Sequence, residues 1–344
     1  MNIETKAETL TLNYLKTIGL CNNGENGRGF AQPYDLVISR DGKIFVLNRS
    51  DPSLTKAIRI GICNLEEEYL GEFYGNGYGV GEGQFTLPVA IAFDNDERLY
   101  ITDEYNHTVS VFDKSGNYLS RWGSYGSTQG NLDGPAGIVI DSEDYVYIVD
   151  QNNNRVQKFT TNGDYILGWG TQGTGEGQFN LPWGITTDKD GDIYVADWRN
   201  DRIQKFTSSG HLLRIFGESG SKNGQLYRPS GVAVDKEGRI YVADWGNERV
   251  QIFDPSGNFL LNLKGQATLS KWARDFLKAN PDEQVTRDIS NLIPDLPSQL
   301  STPYDISSQC EPYFWSPVSI KLDSLGQLYV LESNRYRFQV YSIN

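Results

Sequence analysis

Two stretches of the sequence, PWGITTDKDGDIYVADWRNDRIQKF from Pro182 and PSGVAVDKEGRIYVADWGNERVQIF from Pro229, are copies of one pattern. A third clear copy, PAGIVIDSEDYVYIVDQNNNRVQKF, begins at Pro135. Looser copies begin at three other prolines, Pro33, Pro88 and Pro317. The four central copies start 47 residues apart. A constant period of this length indicates a repeat architecture, in which each copy is one structural unit.

Each copy predicts four short strands. In the fifth copy, Gly231–Asp235 and Arg239–Asp244 are β-branched runs separated by a turn that contains glycine. Arg249–Phe253 alternates apolar and polar residues, and Asn258–Leu263 comes after a further turn. The apolar residues lack helical spacing. The sequence therefore predicts an all-β, six-bladed β-propeller of four-stranded antiparallel blades.

The run GTGEGQFNLPWGITTDKDGDIYVADWRNDRIQKF, residues 173–206, closely resembles the NHL repeat. The resemblance extends over nearly the whole chain outside residues 266–311. It implies a six-bladed propeller, because six such repeats form that ring in the family. We therefore expect residues 1–344 to form a single β-propeller domain, with residues 266–311 as an insertion in it.

The ends of the chain predict how the ring closes. Nothing after Tyr341 could form the outermost strand of blade six, whereas Asn13–Gly19 resembles the fourth strand of the other blades. A closed propeller protects strand edges that would otherwise be unpaired. We expect the N-terminal strand to complete the last blade.

The connection between blades five and six is about 40 residues longer than the others. Apolar residues recur there at helical spacing, at Leu269, Trp272, Ala273, Phe276 and Leu277. Asn280-Pro281 predicts the start of a second helix, and Pro303 is among the prolines expected to end regular structure. This helical insertion is interpreted either as a lid over a pocket at the channel mouth or as a brace on the rim.

Positions at which one copy departs from the others are candidates for function. Asp35 stands where copies three to five have glycine, and blades six, one and two carry most of the other departures. We predict an acid/base site from the set Asp35, Glu332, Glu104, His107 and Arg49. A divalent cation such as Ca²⁺ could instead be held by Asp35, Asn48 and Glu332. Decay of terminal repeats is the alternative explanation.

The repeated acids have a structural interpretation. Asp150, Asp197 and Asp244 occupy one position and each precedes an arginine by five residues. Because this pattern builds every blade, we expect each aspartate to fix its own loop and pair with that arginine.

Aromatic residues suggest a ligand pocket. Six are expected to face the mouth, namely Tyr34, Tyr105, Trp183, Trp198, Trp245 and Trp315. Trp272 and Phe276 would join them from the lid. Each of these rings could instead pack between blades.

The chain has two histidines, His107 and His211, too few for a three-histidine zinc site. The NHL-like peptide-amidating lyases use such a site, so this chain departs from them. The related gluconolactonase and strictosidine-synthase propellers place carboxylates and amides at the mouth, as the candidate residues here would. The sequence therefore does not identify a cofactor, and a divalent cation is one possibility.

Charge and composition limit the partners. The 31 basic and 44 acidic side chains give a net charge of −13, which argues against nucleic acid, although some NHL propellers bind RNA. The sequence has no apolar run long enough to span a membrane, and the spacing of its three cysteines supports neither a disulfide framework nor a thiolate zinc site. We expect a cytoplasmic protein with free thiols, and a monomer. Two functions remain open. One is a small-molecule-binding propeller with a lidded pocket, with lyase, hydrolase or cyclase chemistry as an option. The other is a non-catalytic scaffold that binds a protein or peptide.

Overall fold

The computed structural model describes residues 10–22, 26–49 and 52–344. Residues 1–9, and Ser50 and Asp51 in the predicted blade-one loop, lie outside the described residues. Over the described ranges the chain forms six separate four-stranded antiparallel sheets. The predicted six-bladed propeller is confirmed.

The strands match the repeat. The first strand, β1 (Leu12–Gly19), precedes blade one, which contains β2 (Pro33–Ile38), β3 (Ile44–Asn48), β4 (Arg59–Cys63) and β5 (Tyr69–Phe73). Blade two contains β6 (Pro88–Phe93), β7 (Leu99–Asp103), β8 (Thr108–Phe112) and β9 (Tyr118–Trp122). Blade three contains β10 (Pro135–Ile140), β11 (Val146–Asp150), β12 (Arg155–Phe159) and β13 (Tyr165–Trp169).

Blades four to six continue in the same way. Blade four contains β14 (Ile185–Thr187), β15 (Ile193–Asp197), β16 (Arg202–Phe206) and β17 (Leu212–Phe216). Blade five contains β18 (Pro229–Val234), β19 (Ile240–Asp244), β20 (Arg249–Phe253) and β21 (Phe259–Leu263). The insertion contributes α1 (Lys271–Ala279), α2 (Pro281–Ile289) and α3 (Pro303–Gln309). Blade six contains β22 (Pro317–Leu322), β23 (Leu328–Glu332) and β24 (Arg337–Ile343).

The N-terminal strand closes the ring as predicted. β1 pairs antiparallel with β24, with Leu12 opposite Ile343 and Gly19 opposite Arg337. Blade six therefore has four strands although three of them come from the C-terminal end of the chain. Strand β24 is paired on both edges, so the last blade keeps the four-stranded width of the others.

The first strand of each blade lines a central channel. Each of these strands contacts the first strands of the two neighbouring blades, so that β2, β6, β10, β14, β18 and β22 form a complete ring. Strand direction alternates within a blade. The loops between second and third strands therefore emerge on the same side as the connections between blades, and we call this side the mouth face.

The repeated glycine of the first strands has a packing origin. A Cβ atom on Gly137 would lie 2.5 Å from the carbonyl oxygen of Trp183, and one on Gly184 would lie 2.5 Å from that of Ser230. The inner strands of adjacent blades lie so close together at this position that a side chain would collide with the backbone of the neighbouring strand. Any residue larger than glycine at this position must interact with the neighbouring blades.

The helical insertion is confirmed, but one of its helices was not predicted. Pro303, expected to end regular structure, begins α3 instead. The Thr302 side chain accepts a hydrogen bond from the Asp305 N–H, and the Asp305 carboxylate accepts one from the Thr302 backbone. Proline is compatible with the first helical turn, where its missing N–H has no partner to lose. This capping box starts a helix at a position where a stop was expected.

No helix in the described part of the chain has the length and apolar character needed to cross a bilayer.

Candidate functional site

The repeated acids organise the loops on the mouth face. Asp150 accepts a hydrogen bond from the Asp133 N–H at 2.6 Å, and it accepts others from Arg155 and Gln157 at 2.7 and 3.1 Å. Asp197 and Asp244 make the same set of contacts in the next two blades. Burial raises the pKa of all three carboxyl groups, and the donors around them act in the opposite direction. The structural interpretation of these acids is confirmed.

Glu332, one of the predicted catalytic and metal-binding residues, occupies the same position in blade six. Its side chain is completely buried. It accepts hydrogen bonds from Arg337 at 2.9 Å, from Gln339 at 2.8 Å and from the Trp315 N–H at 3.1 Å. Because these are the contacts of the repeated aspartates, the structure gives Glu332 a loop-fixing role that its departure from the pattern did not predict.

Asn48 takes this position in blade one. Its amide oxygen accepts from the Ala31 N–H at 2.8 Å, which preserves the loop contact without a charge. The buried Arg59 then needs another acid, and Glu72 on β5 provides it with an Nε–Oε2 distance of 3.0 Å. The departure at Asn48 is thus compensated within the same blade.

Asp35 links blade one to its two neighbours, blades two and six. Its carboxylate accepts hydrogen bonds from the Ile91 N–H at 3.0 Å in blade two and from the Ser319 hydroxyl at 2.5 Å in blade six. The Lys321 ammonium lies 3.1 Å from the same carboxylate. Within the described residues, these partners do not include any of the acids or His107 with which Asp35 was expected to cluster.

His107 closes a contact between neighbouring blades. Its Nδ1 accepts a hydrogen bond from the Gly134 N–H at 3.1 Å. Asn154 and Asp201 accept from the N–H of Leu181 and Arg228 in the same way. His107 therefore makes the repeated contact between a side chain of one blade and the backbone of the next through its Nδ1.

The predicted catalytic and metal sets are not assembled. Arg49 pairs with Glu104, and the Arg49 guanidinium carbon lies 4.7 Å from the centre of the Tyr34 ring. Asp35, Asn48 and Glu332 each have separate partners, as described above. Among the residues that the structure describes, no group of three or more His, Cys, Asp or Glu side chains is placed to hold a metal ion.

Aromatic side chains instead converge on a cavity of about 370 Å³ at the channel mouth. It is lined by aromatic rings from blades one, four and five and from α3, together with neutral polar and apolar side chains. Its lining residues are Tyr34, Gln151, Trp183, Trp198, Ser230, Trp245, Tyr304, Ser316, Val318, Ser333 and Asn334. Tyr34, Trp183, Ser230 and Val318 also line the narrow channel below, so the cavity opens into it.

Two positions of the repeat supply most of this lining. One comes directly after the first proline of each blade and contributes Tyr34, Trp183, Ser230 and Val318. The other comes directly after the loop acid and contributes Gln151, Trp198, Trp245 and Ser333. Both positions differ in chemistry from blade to blade, while their neighbours are repeated. The propeller therefore holds a constant frame around two rings of variable residues.

Four of the aromatic rings that line the cavity form two pairs. The centroids of Trp198 and Trp245 are 6.3 Å apart, and those of Tyr34 and Trp183 are 6.4 Å apart. Arg228 places its guanidinium carbon 4.9 Å from the centre of the Trp198 ring. This arrangement offers flat apolar faces edged by hydroxyl and amide groups, a combination typical of small-molecule sites.

The other predicted aromatic residues lie elsewhere. The Trp315 ring packs against Tyr304 at 5.7 Å, beside the cavity. Tyr105 is exposed and lines a second depression of about 540 Å³ with Glu104, His107 and Gln151. Because Gln151 borders both depressions, the two are neighbours on the mouth face.

No residue of α1 lines the mouth cavity, and the contacts of this helix favour the brace interpretation over the lid. Trp272 is buried against the Phe30 ring, and its indole N–H donates to the Glu67 carbonyl at 2.7 Å. Phe276 is about half-exposed on the same helix and does not line the mouth cavity. The Ser270 hydroxyl donates to the Gly19 carbonyl at 2.6 Å, which fixes the start of α1 to the end of β1. This part of the insertion braces the propeller rim.

The sequence did not lead to Tyr304, to Gln151 or to the serines of the cavity. The capping box at Thr302–Asp305 could have placed Tyr304 on a helix near the mouth. Gln151 and Ser333 could have been found by comparing the residue immediately after the loop acid in each copy.

Comparisons with known proteins agree with this architecture. The NHL repeat family matches residues 179–206 and 226–253, and a family described as a 6-bladed beta-propeller matches residues 88–156. No curated protein matches the sequence.

Solved structures share the fold at low identity. A protein of unknown function from Bacteroides thetaiotaomicron has a TM-score of 0.62 and 16% identity, covering 98% of this chain and 76% of its own. Streptogramin B lyase has a TM-score of 0.57 and 11% identity, with 97% and 98% covered. A catalytically inactive variant of virginiamycin B lyase from Staphylococcus aureus, solved with quinupristin, has a TM-score of 0.56 and 16% identity, with 97% and 88% covered. The six sheets and these matches identify the chain as a six-bladed β-propeller that contains NHL repeats.

Proposed function

We propose that this propeller binds a small ring-containing molecule in the mouth cavity. The observation that carries the proposal is the convergence of five aromatic side chains from three blades and α3 on one cavity of about 370 Å³. A cavity of this size suits a small organic ligand, for which apolar faces provide affinity and a few polar groups provide orientation. The neutral lining provides both kinds of group.

Tryptophan fluorescence can test this proposal, because Trp183, Trp198 and Trp245 border the cavity. A ligand in the cavity should change the emission, and replacing Trp183 or Trp245 with phenylalanine should reduce that change and weaken binding. Trp169→Phe is the matched control, because Trp169 packs against Phe206 between blades, 5.7 Å away, and not at the mouth. Equal effects of the mouth and control variants would contradict the proposal.

Lyase-type catalysis is a second candidate function. Two of the similar folds are lyases by name, and they share only the fold with this chain at 11–16% identity. The feature of this chain that favours catalysis is His107, which lines the depression next to the mouth cavity. A histidine ring is suited to proton transfer near neutral pH.

His107→Asn separates catalysis from structure. Asn154 makes the equivalent contact in blade three through its amide oxygen at 2.8 Å, so asparagine can preserve the link between blades. We expect this variant to keep the melting temperature and to lose turnover, whereas His107→Ala should lose both. Full turnover in the asparagine variant would rule out a catalytic role for His107. Binding of a protein or peptide across the mouth face, with no small ligand in the cavity, would favour the scaffold alternative.

A further inference from the structure

The lining of the mouth cavity contains no acidic side chain, and one of its rings, Trp198, has cationic side chains packed against it. Trp198 has two arginines against its ring, with the guanidinium carbons of Arg228 and Arg199 at 4.9 and 5.4 Å from the ring centre. Arg228 also lies 5.3 Å from the centre of the Tyr227 ring. In a chain with a net charge of −13, this is a local reversal of sign.

Neither arginine has an acidic partner among the described residues. The arginines of the repeat, such as Arg202, are paired with the loop acids. Arg49, on the opposite side of the cavity, is paired with Glu104. Asp201 is adjacent, but its oxygens accept from the Arg228 backbone N–H at 2.7 Å and the Ser219 hydroxyl at 2.6 Å. The guanidinium groups of Arg199 and Arg228 are therefore available to a ligand.

An arginine that packs on an aromatic ring can still present its N–H groups to a second partner. These groups are parallel donors that match a carboxylate, a sulfate or a phosphate, and the aromatic ring limits how far the side chain can move. An anionic group placed beside Trp198 would meet both arginines, while the rest of its molecule could extend over the aromatic rings of the cavity.

The neutral part of the lining defines the rest of the ligand. Gln151 and Asn334 supply amides that both donate and accept, and Ser230, Ser316 and Ser333 supply hydroxyl groups. Sugars combine an apolar ring face, which stacks on indole or phenol rings, with hydroxyl groups around the ring edge. An apolar aromatic ligand would leave most of these polar groups without partners, at a cost in affinity.

Resting on the proposed small-molecule function, we propose that the cavity binds an anionic sugar, with its acidic group held by Arg228 and Arg199 beside Trp198 and its ring stacked in the aromatic cavity. The acidic group could be the carboxylate of a uronic acid or a sulfate ester. Both present the same charge to the arginines.

The test uses the full chain on an array of neutral, uronic-acid-containing and sulfated oligosaccharides, followed by calorimetry with the bound glycans and their neutral counterparts. We expect binding to be confined to acidic glycans and to weaken by about 10-fold or more in Arg199→Gln/Arg228→Gln, because a charge-assisted contact is lost. Raising the salt concentration should weaken binding by the wild type more than by the double variant. The uronic-acid and sulfate arms distinguish the two sources of charge.

Two controls keep the outcomes separate. Arg214→Gln removes one positive charge from an outer strand, where Arg214 donates to the Ser256 carbonyl, and it should leave binding unchanged. Trp183→Ala should weaken every ligand of the cavity, charged or neutral. Neutral glycans that bind as tightly as acidic ones would overturn the anionic assignment and leave the proposed cavity intact. Acidic glycans that bind equally to wild type and double variant would also overturn it. Failure of every glycan to bind would overturn the sugar assignment, and the tryptophan variants would then test the cavity with other ring compounds.

Discussion

The two ends of the insertion between blades five and six differ in burial and in the partners of their aromatic residues. At the first end, Trp272 on α1 is 2% exposed and its indole N–H is hydrogen bonded to Glu67. At the other end, Tyr304 on α3 is 50% exposed and borders the mouth cavity. A buried ring with a satisfied polar group stabilises the fold, whereas a half-exposed ring on a cavity is available to a ligand. One insertion thus has a first end that packs on the propeller and a second end that borders the mouth cavity.

Removing the strand beneath the brace should have the largest effect. Deletion of residues 1–19 removes β1, which pairs with β24 and carries the contact from Gly19 to Ser270. Strand β24 of blade six would then have an unpaired edge, and α1 would lose its hydrogen bond to Gly19. We therefore expect insoluble protein or a large fall in melting temperature. Deletion of residues 1–9 is the control, because it leaves β1 whole. A soluble 20–344 fragment with an unchanged melt would show that closure does not depend on β1.

Trp272→Ala should have the next largest effect. Loss of a large buried aromatic side chain typically lowers the free energy of unfolding by about 3–5 kcal/mol. Phe276→Ala on the same helix is the control, and it should cost less than about 1 kcal/mol because surface positions contribute little. Chemical denaturation measures both. If the two variants are equally stable, α1 is not a brace.

The fold could be predicted from the sequence because the pattern that indicates its strands occurs in every blade. Six copies of one pattern report the same strands, and the unmatched Asn13–Gly19 segment has one place to pair. The insertion occurs once and has no such internal control. Its amphipathic spacing predicted α1 correctly, yet spacing does not say whether Trp272 packs on the rim or over the channel.

The candidate site was predicted in part. Tyr34, Trp183, Trp198 and Trp245 line the cavity, as expected for mouth-facing residues. The departures from the repeat at Asn48 and Glu332 predicted functional residues, but contacts within the fold account for both side chains. Asp35 is likewise occupied by partners in two neighbouring blades, and partners so distant in sequence cannot be deduced from a single chain.

Glu248 tests how the mouth end of the insertion is held. It is buried, and its carboxylate accepts from the Ser316 N–H at the end of the insertion. Burial, together with the nearby charge of Glu332, raises its pKa to about 8, against the donation from Ser316. The folded chain therefore keeps a proton that the unfolded chain loses, and stability should fall as the pH rises from about 4.5 to 8.

Glu248→Gln should remove this pH dependence. Relative to wild type, we expect the variant to gain on the order of 2 kcal/mol at pH 8 and nothing at pH 4, since glutamine resembles the protonated acid. Glu237→Gln, at an exposed turn of the same blade, is the control. Chemical denaturation at pH 4 and pH 8 measures the free energy of unfolding of each variant. An equal effect of the two variants at pH 8 would show that Glu248 is not desolvated.

Tyr304→Ala should have the smallest effect on stability and a clear effect on binding. The ring is half-exposed and packs against Trp315, so its removal should cost less than about 1 kcal/mol. It is also the aromatic contribution of α3 to the cavity, so ligand affinity should fall several-fold. Tyr304→Phe keeps the ring and should preserve affinity if stacking is its role; a loss in both variants would assign the role to the hydroxyl group. If Tyr304→Ala instead destabilises the chain as much as Trp272→Ala, then α3 is a second brace, and the distinction between the two ends of the insertion fails.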